Sequence, residues 1–172
     1  MKLLKATEAD ISGIINIIKQ AQAYFNEKGI NQWQDNYPNL ETVKSDVRNK
    51  NGYVLLKDNT VVGTVVVTFD ADNNYKSIYN GEWITNNQYA VIHRLAIDSN
   101  FKGLGLSSLI INYIEKMSLK KRIKSIKIDT HKDNISMIKL LEKNGFKYCG
   151  IIYLEDKSKR IAFEKTLKTL EE

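Results

Sequence analysis

The stretch from Val91 to Leu109 limits the possible folds more than any other part of the chain. Its pattern predicts a strand over residues 91–97, a short loop over 98–102, and then a helix that opens with the sequence Gly-Leu-Gly-Leu-Ser-Ser. Apolar residues recur along this helix at the spacing of one face. Glycines let a ligand come close to the backbone, and the N–H groups in the first turn of a helix attract phosphate. We therefore predict that this loop binds the pyrophosphate of a nucleotide-like cofactor.

The paired glycines have two other possible explanations, which are close packing of a helix against a strand and a dinucleotide-binding site. Close packing of a helix against a strand selects glycine and needs no ligand. A doubly wound dinucleotide site would need an acidic residue about 20 positions further on, and Asp129 lies at the end of the next predicted strand. Against that site, Ser108 replaces the third glycine, the loop after Ile97 is too long for a tight turn, and the motif begins past the middle of the chain. A phosphate-binding loop of another type is therefore favoured.

Length and composition predict one domain that spans residues 1–172 and can bury a core. The 42% of hydrophobic residues include no run of membrane-spanning length, and the first residues lack a signal-peptide core, so no membrane partner is expected. The single cysteine, Cys149, excludes an internal disulfide and predicts a reducing, cytoplasmic location. The net charge of +6 comes from scattered lysines, and zinc-like ligand spacing is absent, so neither nucleic acid nor metal is expected. We expect a monomer or a homodimer.

The order of the predicted elements indicates a mixed α/β (α+β) fold. The strands over residues 91–97 and 124–129 are separated by a single helix, so they should be parallel and joined in the right-handed sense. The hairpins elsewhere should be antiparallel, which predicts a mostly antiparallel central sheet with one central parallel pair and helices on both faces. The other predicted strands are residues 2–5, 53–57, 60–69, 148–154 and 160–166, and the other helices follow Thr7, Asn39 and Asn134.

Three blocks of sequence, taken together, resemble the GNAT superfamily of acyl-CoA-dependent N-acyltransferases. They are Leu95-Ala96-Ile97, the run Asn100-Phe101-Lys102-Gly103-Leu104-Gly105, and the run Leu140-Leu141-Glu142-Lys143-Asn144-Gly145-Phe146, with Asn134 before the last run. The order and spacing of the blocks fit the family over about residues 91–153. Asn100 departs from the family pattern, in which the loop normally begins with Gln or Arg. The resemblance implies a GNAT-like fold.

The resemblance also implies an acetyl-CoA-dependent N-acetyltransferase, in which a primary amine of a small molecule or a peptide attacks the acetyl group directly. The pantetheine arm of coenzyme A would pair with the strand backbone, and a strand N–H close to Leu95 would stabilise the oxyanion. Asn134 would hydrogen-bond the pantetheine or cap its own helix. The implied cofactor-binding residues are Leu95, Ala96, Ile97, Lys102, Gly103, Leu104, Gly105, Leu106, Ser107 and Asn134.

The attacking amine needs a base, because a free alkylamine holds its proton with a pKa of about 10. Asp129 is the first choice, since related protein N-acetyltransferases carry an acidic residue at this strand end. A loop-capping role for Asp129 is the alternative. His93 and Glu82 are the other candidates for the base, and His131 could support it.

The family's usual general acid is a tyrosine in the helix before the Gly-Phe pair, but that position is Leu141 here. Tyr148 and Tyr153 lie nearby in the sequence and could replace it, or the thiolate could leave unassisted, since thiols have a pKa near 8.5. No histidine partner or helix N-terminus activates Cys149, which favours a packed thiol over covalent catalysis. The leucine also leaves a second hypothesis open, a catalytically degenerate acyl-CoA-binding module.

Two polar connections are the candidates for the amine side of the site. Residues 29–39 contain Trp33 and Tyr37, whose rings either line a binding site or hold the loop against the core. Residues 70–86 are rich in Asn, Asp and Tyr, and neither connection carries a recognisable preference for one amine. The predicted substrate-binding residues are Trp33, Tyr37, Glu82 and His93.

Overall fold

The computed structural model describes residues 1–169. This part of the chain contains four α-helices and seven strands. The helices are α1 (Ile11–Glu27), α2 (Leu40–Arg48), α3 (Leu106–Lys120) and α4 (Ile135–Lys143). The strands are β1 (Lys2–Lys5), β2 (Gly52–Lys57), β3 (Thr60–Thr68), β4 (Ala90–Ile97), β5 (Ser125–Thr130), β6 (Lys147–Tyr153) and β7 (Lys159–Thr166). Each predicted strand and helix is present, with ends that differ from the prediction by a few residues.

The seven strands form one sheet in the order β1-β2-β3-β4-β5-β7-β6. The pairs β1–β2, β2–β3, β5–β7 and β6–β7 are antiparallel, whereas β4 and β5 are parallel. The predicted mixed, mostly antiparallel sheet with one central parallel pair is therefore confirmed. The β4–β5 register joins Ala90 to Ile126 and Val91 to Lys127, while β4 itself continues to Ile97.

The chain divides into two compact units. The first unit contains residues 1–67 and 93–110. Its core includes Ile14 and Ile18 of α1, Val43 of α2 and Val54 of β2, and Trp33 packs against this cluster. Two capping boxes begin its helical segments, because Asp10 accepts the N–H of Thr7 and the Asn39 side chain accepts the N–H of Thr42.

Of the described residues, the second unit contains 68–92 and 111–169. Its core includes Tyr75, Val91, Ile152 and Ala162, against which Trp83 and other side chains pack. The connection predicted as a long polar loop over residues 70–86 thus contributes a buried tyrosine to the core. A single 3-10 turn at Asn73–Tyr75 positions that tyrosine. Among residues 1–169, no helix combines the length and the apolar character that a membrane crossing requires.

Candidate active site

The glycine loop, residues 98–105, leads from β4 into α3. Gly103 and Gly105 adopt left-handed backbone conformations, with φ of 79° and 73°. A Cβ atom added at either position would meet no heavy atom within 4 Å, so the space above both residues is open. The Gly105 carbonyl accepts the first α-helical hydrogen bond, from the N–H of Leu109 at 3.1 Å. The helix therefore starts at Leu106, after the two glycines, and not at Gly103 as predicted.

The start of the glycine loop is fixed by α1. The Asp98 carboxylate accepts the N–H of Asn100 at 2.9 Å and the side-chain amide of Gln20 at 3.3 Å. Gln20 also accepts the N–H of Ser99 at 2.7 Å through its amide oxygen. One polar side chain on α1 thus bonds twice to the loop, a role that the sequence pattern of α1 did not reveal. The loop is held in place by contacts outside its own segment.

Lys102 supplies positive charge within this loop. Its side chain is exposed, and the ammonium lies 4.7 Å from the centre of the Tyr24 ring. A cation over an aromatic face is weakly attracted to it, which favours one position of the lysine head. Together with the dipole at the start of α3, this charge makes the region around Gly103 and Gly105 suitable for an anion.

The middle of β4 contains a backbone irregularity at Arg94, whose φ is 50°. A non-glycine residue in this region costs about 1–2 kcal/mol. This left-handed residue departs from the extended conformation of the strand on either side of it. The backbone of Leu95, Ala96 and Ile97 therefore follows a local break in the strand geometry, which we term the Arg94 bulge.

The Arg94 side chain is held by two partners from other elements. Its Nε and Nη2 atoms donate to the two Asp46 oxygens at 3.0 and 2.5 Å, and its Nη1 donates to the Tyr37 hydroxyl at 2.8 Å. Burial lowers the pKa of the Arg94 guanidinium, but Tyr37 and Asp46 more than compensate and raise it. Burial raises the pKa of Asp46, and Arg94 opposes that shift. This three-residue contact, the Arg94 cluster, offsets the strain of the bulge.

We expect Asp46→Asn to lower the free energy of unfolding by about 2 kcal/mol, because it removes the charge that compensates a mostly buried guanidinium. The two side chains are 16% and 15% exposed, so solvent screens the pair only in part. Urea unfolding measures the effect. Glu41→Gln, which breaks an exposed ion pair with Lys44 on the same helix, is the control and should change stability by less than about 0.5 kcal/mol. Equal effects of the two substitutions would contradict this role of Asp46.

The two aromatic residues predicted on the α1–α2 connection differ in their surroundings. Trp33 packs edge-on against Phe25, with ring centres 5.7 Å apart, and joins the core of the first unit. Tyr37 is 46% exposed, and its hydroxyl is bonded to Arg94. Trp33 thus holds the loop against the core, one of its two predicted alternatives, whereas Tyr37 joins the loop to β4. Their substrate-binding roles stay predictions.

In the second unit, Asp129 lies near the end of β5, opposite Ala162 of β7. Its Oδ1 accepts the hydroxyl of Tyr75 at 2.7 Å. Burial raises the pKa of the Asp129 carboxyl, although the Tyr75 hydrogen bond and the nearby Arg160 both lower it. Asp129 is therefore a carboxyl group with enhanced proton affinity and a fixed partner. Tyr75 was not among the predicted site residues.

His131 follows Asp129 by two residues and faces a different partner. Its Nδ1 accepts the N–H of Asp133 at 3.1 Å, so the proton of a neutral ring lies on Nε2. Burial and the nearby Arg160 lower the pKa of His131, which favours the neutral ring at pH 7. The predicted support of Asp129 by His131 stays a prediction.

The connection between β3 and β4 is tied to the sheet by a buried carboxylate. Glu164 accepts the Ser125 hydroxyl at 2.7 Å, the Thr85 hydroxyl at 2.6 Å and the N–H of Ile84 at 2.6 Å. Buried carboxylates need such donors, because an unpaired charge is costly in the interior. This contact fixes the second half of the connection over residues 70–86, which is one of the two predicted candidates for the amine side of the site.

Lys127 fixes the same connection through its aromatic residues. Its ammonium lies 4.2 Å from the centre of the Trp83 ring and 4.1 Å from that of Tyr89. Burial lowers the pKa of Lys127, while Glu164 opposes that shift. The Trp83 indole in turn donates to the Tyr75 carbonyl at 2.9 Å. Tyr75 therefore forms hydrogen bonds at two points, through its backbone carbonyl and through its hydroxyl.

The two tyrosines predicted as general acids are both on the surface of β6. Tyr148 is 54% exposed and packs on Phe163, and Tyr153 is 47% exposed and packs on Tyr79. Leu141, where the resemblance expects a tyrosine, is fully buried. A proton donor at position 141 is therefore excluded.

The remaining predicted residues are a helix cap, two base alternatives and the thiol. Asn134 is buried, and its side chain accepts the N–H of Met137 at 3.2 Å, so it caps α4 as one alternative predicted. Glu82 is exposed and His93 is partly buried. Burial and Glu164 raise the pKa of the Cys149 thiol, which keeps it protonated and supports the packed-thiol prediction.

Comparison with protein families gives a match over residues 17–146 to the model described as the acetyltransferase (GNAT) family. No curated protein matches. Among solved structures, a GNAT-family acetyltransferase from Streptococcus agalactiae 2603 is 28% identical, with a TM-score of 0.87 over 98% of this chain and 96% of that one. The PaiA N-acetyltransferase from Thermoplasma acidophilum, solved with coenzyme A, is 17% identical, with a TM-score of 0.70 over 96% and 98% of the two chains. The ribosomal-protein-alanine N-acetyltransferase from Brucella melitensis is also 17% identical, with a TM-score of 0.69 over 97% and 100%.

Proposed function

Since the chain belongs to the acetyltransferase (GNAT) family, whose members transfer acyl groups from acyl-CoA, we propose that it is an N-acetyltransferase that uses acetyl-CoA. The acceptor is a primary amine of a small molecule or a peptide, and residues 1–172 act as one catalytic domain. The observation that carries the proposal is the glycine loop, where two left-handed glycines leave open space in front of the first turn of α3.

The residues of the loop fit a coenzyme A diphosphate. The open space above Gly103 and Gly105 is what a phosphate would need, and a side chain at either position would fill it. The main-chain N–H groups of residues 102–107 would hold the diphosphate, and Lys102 would add charge. The backbone of β4 at Leu95 and Ile97, after the Arg94 bulge, would pair with the pantetheine arm. Asn134 already caps α4, so it enters the proposal as a residue that shapes the start of that helix.

Bound acetyl-CoA supplies an activated thioester carbonyl. A main-chain N–H of β4 near Leu95 is proposed to donate to its oxygen. Asp129 is proposed to accept the proton of the acceptor amine, because burial raises the pKa of this carboxyl and so makes it a stronger base. A proton donor for the departing sulfur is not essential, because thiols have a pKa near 8.5. Tyr148 and Tyr153 are the proposed donors if one is used.

The proposal is tested by following free-thiol release from acetyl-CoA in the presence of a panel of amines. The panel contains polyamines, aminoglycosides, amino acids and peptides with free N-termini, each with an acetylated control. Turnover that depends on one amine and yields its N-acetyl product is the expected result. Absence of acetyl-CoA binding would contradict the proposal.

The buried leucine at position 141 favours a second candidate, a binding module that has kept the fold and lost the chemistry. This candidate predicts acetyl-CoA binding measurable by calorimetry, with no amine-dependent thiol release across the whole panel. The same two measurements therefore separate the enzyme from the module.

A further inference from the structure

Tyr75 is a buried residue with one charged partner. Only 3% of its surface is exposed, and its hydroxyl donates to Asp129 Oδ1 at 2.7 Å. The ring packs against Trp83 and Tyr89, with ring centres 5.3 and 6.3 Å away. Since the ring packs against two aromatic neighbours and its backbone carbonyl accepts the Trp83 indole N–H, the position of its hydroxyl is fixed by the core of the second unit.

The charged and titratable groups around Asp129 come from three segments. Tyr75 and Asp72 belong to the β3–β4 connection, Arg160 belongs to β7, and His131 follows on the same segment as Asp129. Arg160 and Tyr75 favour the carboxylate, whereas Asp72 and burial favour the protonated acid. The Tyr75 hydroxyl forms a hydrogen bond with the Asp129 side chain.

We propose that Tyr75 is a positioning residue for the Asp129 base, an inference that rests on the proposed acetyltransferase activity. Its hydroxyl fixes one carboxylate oxygen and stabilises the ionised form that must accept the proton of the amine. Burial and the Asp129 carboxylate raise the pKa of Tyr75 well above its usual range, so its O–H stays protonated during the reaction. The proton that leaves the amine nitrogen therefore goes to Asp129 and from there to water, and Tyr75 neither gains nor loses one.

Tyr75→Phe tests this role, because it removes the hydroxyl and keeps the ring. The matched control is Tyr89→Phe, which removes a neighbouring hydroxyl in the same aromatic cluster, one that accepts the N–H of Asp72 at 3.1 Å. The first measurement is kcat against pH at saturating substrates, which reports groups of the bound complex. The second is the titration of Asp129 by carboxyl ¹³C NMR, with the signal assigned by its loss in Asp129→Asn.

For Tyr75→Phe we expect the acidic limb of the kcat profile to move about one unit toward higher pH, the shift that a tenfold change in proton affinity produces. At a fixed pH on that limb, kcat should therefore fall about tenfold. The KM for acetyl-CoA should stay within about twofold of wild type, because the loop that binds it is untouched. The NMR titration of Asp129 should move in the same direction. In Tyr89→Phe, the acidic limb of the kcat profile and the NMR titration of Asp129 should both stay at their wild-type pH.

An unchanged Asp129 titration in Tyr75→Phe would overturn the inference, as would equal shifts in both tyrosine variants. The NMR readout does not need turnover, so it tests the Tyr75–Asp129 contact even if no amine is acetylated. Failure of the proposed function has a different signature: either no thiol is released by wild type, or the acidic limb persists unchanged in Asp129→Asn.

Discussion

Gly105→Glu should weaken coenzyme A binding by about a hundredfold or more, as measured by calorimetry. The added side chain would occupy the open space above the loop, and its negative charge would repel a phosphate at the start of α3. Loss of charge-assisted contacts worth about 3 kcal/mol accounts for a factor of this size. The left-handed backbone at Gly105 adds about 1–2 kcal/mol of strain for any other residue.

Gly29→Glu is the control for that strain. Gly29 has a φ of 67°, and a Cβ there also meets no heavy atom within 4 Å, but the residue follows α1 and lies outside the glycine loop. The two variants should therefore lose similar stability and differ in ligand affinity. Gly105→Lys separates bulk from charge, because it should bind coenzyme A more tightly than Gly105→Glu does. Normal binding by Gly105→Glu would show that the loop is not the phosphate site.

The elements that the sequence predicted correctly are those whose signals are local. The paired glycines before an apolar stripe predicted the start of α3 to within three residues. The caps at Thr7 and Asn39 each depend on a partner three residues away, so the segment alone contains the information. The parallel β4–β5 pair followed from a single intervening helix, which allows few other arrangements.

The contacts that the sequence did not predict join residues far apart along the chain. Arg94 is paired with Asp46, 48 positions earlier, and its left-handed conformation has no counterpart in the pattern of an alternating strand. The Tyr75 hydroxyl bonds Asp129, 54 positions later, from within a connection whose sequence is rich in Asn, Asp and Tyr. Only the tertiary fold brings such side chains together, since Asp46 lies on α2 and Tyr75 lies in a 3-10 turn. A single sequence carries no signal for a pair of that kind.

The connection between β3 and β4 also forms contacts that its local sequence did not predict. Its composition, rich in Asn, Asp and Tyr, predicted a long connection and no buried contacts. In the structure Tyr75 is buried, and Ile84 and Thr85 bond to the buried Glu164. Neighbouring residues alone explain the 3-10 turn near the start of the connection, because the Asp72 side chain accepts the N–H of Asn74 and begins that turn. A polar segment can be well ordered when buried charges elsewhere supply its partners.

Asp129→Asn should lower kcat by about a hundredfold to ten-thousandfold, while the Kd for coenzyme A stays at the wild-type value. The amide keeps the shape of the side chain and can still accept the Tyr75 hydroxyl, but it cannot take a proton from the amine. Steady-state kinetics from pH 6 to 9 and calorimetry measure the two quantities. Glu155→Gln removes an exposed acid between β6 and β7 that has no proposed role, and its kcat should stay within about twofold of wild type.

The stability of Asp129→Asn separates lost chemistry from lost folding. Burial raises the pKa of Asp129 in the folded protein above its unfolded value, so the folded state holds this proton more tightly than the unfolded chain does. Wild-type stability therefore falls as the pH rises through the interval between the two pKa values, and the asparagine variant lacks that loss. The variant should gain in free energy of unfolding relative to wild type between pH 3 and pH 7, by urea titration at each pH. Wild-type turnover by Asp129→Asn across pH 6–9 would remove Asp129 as the base.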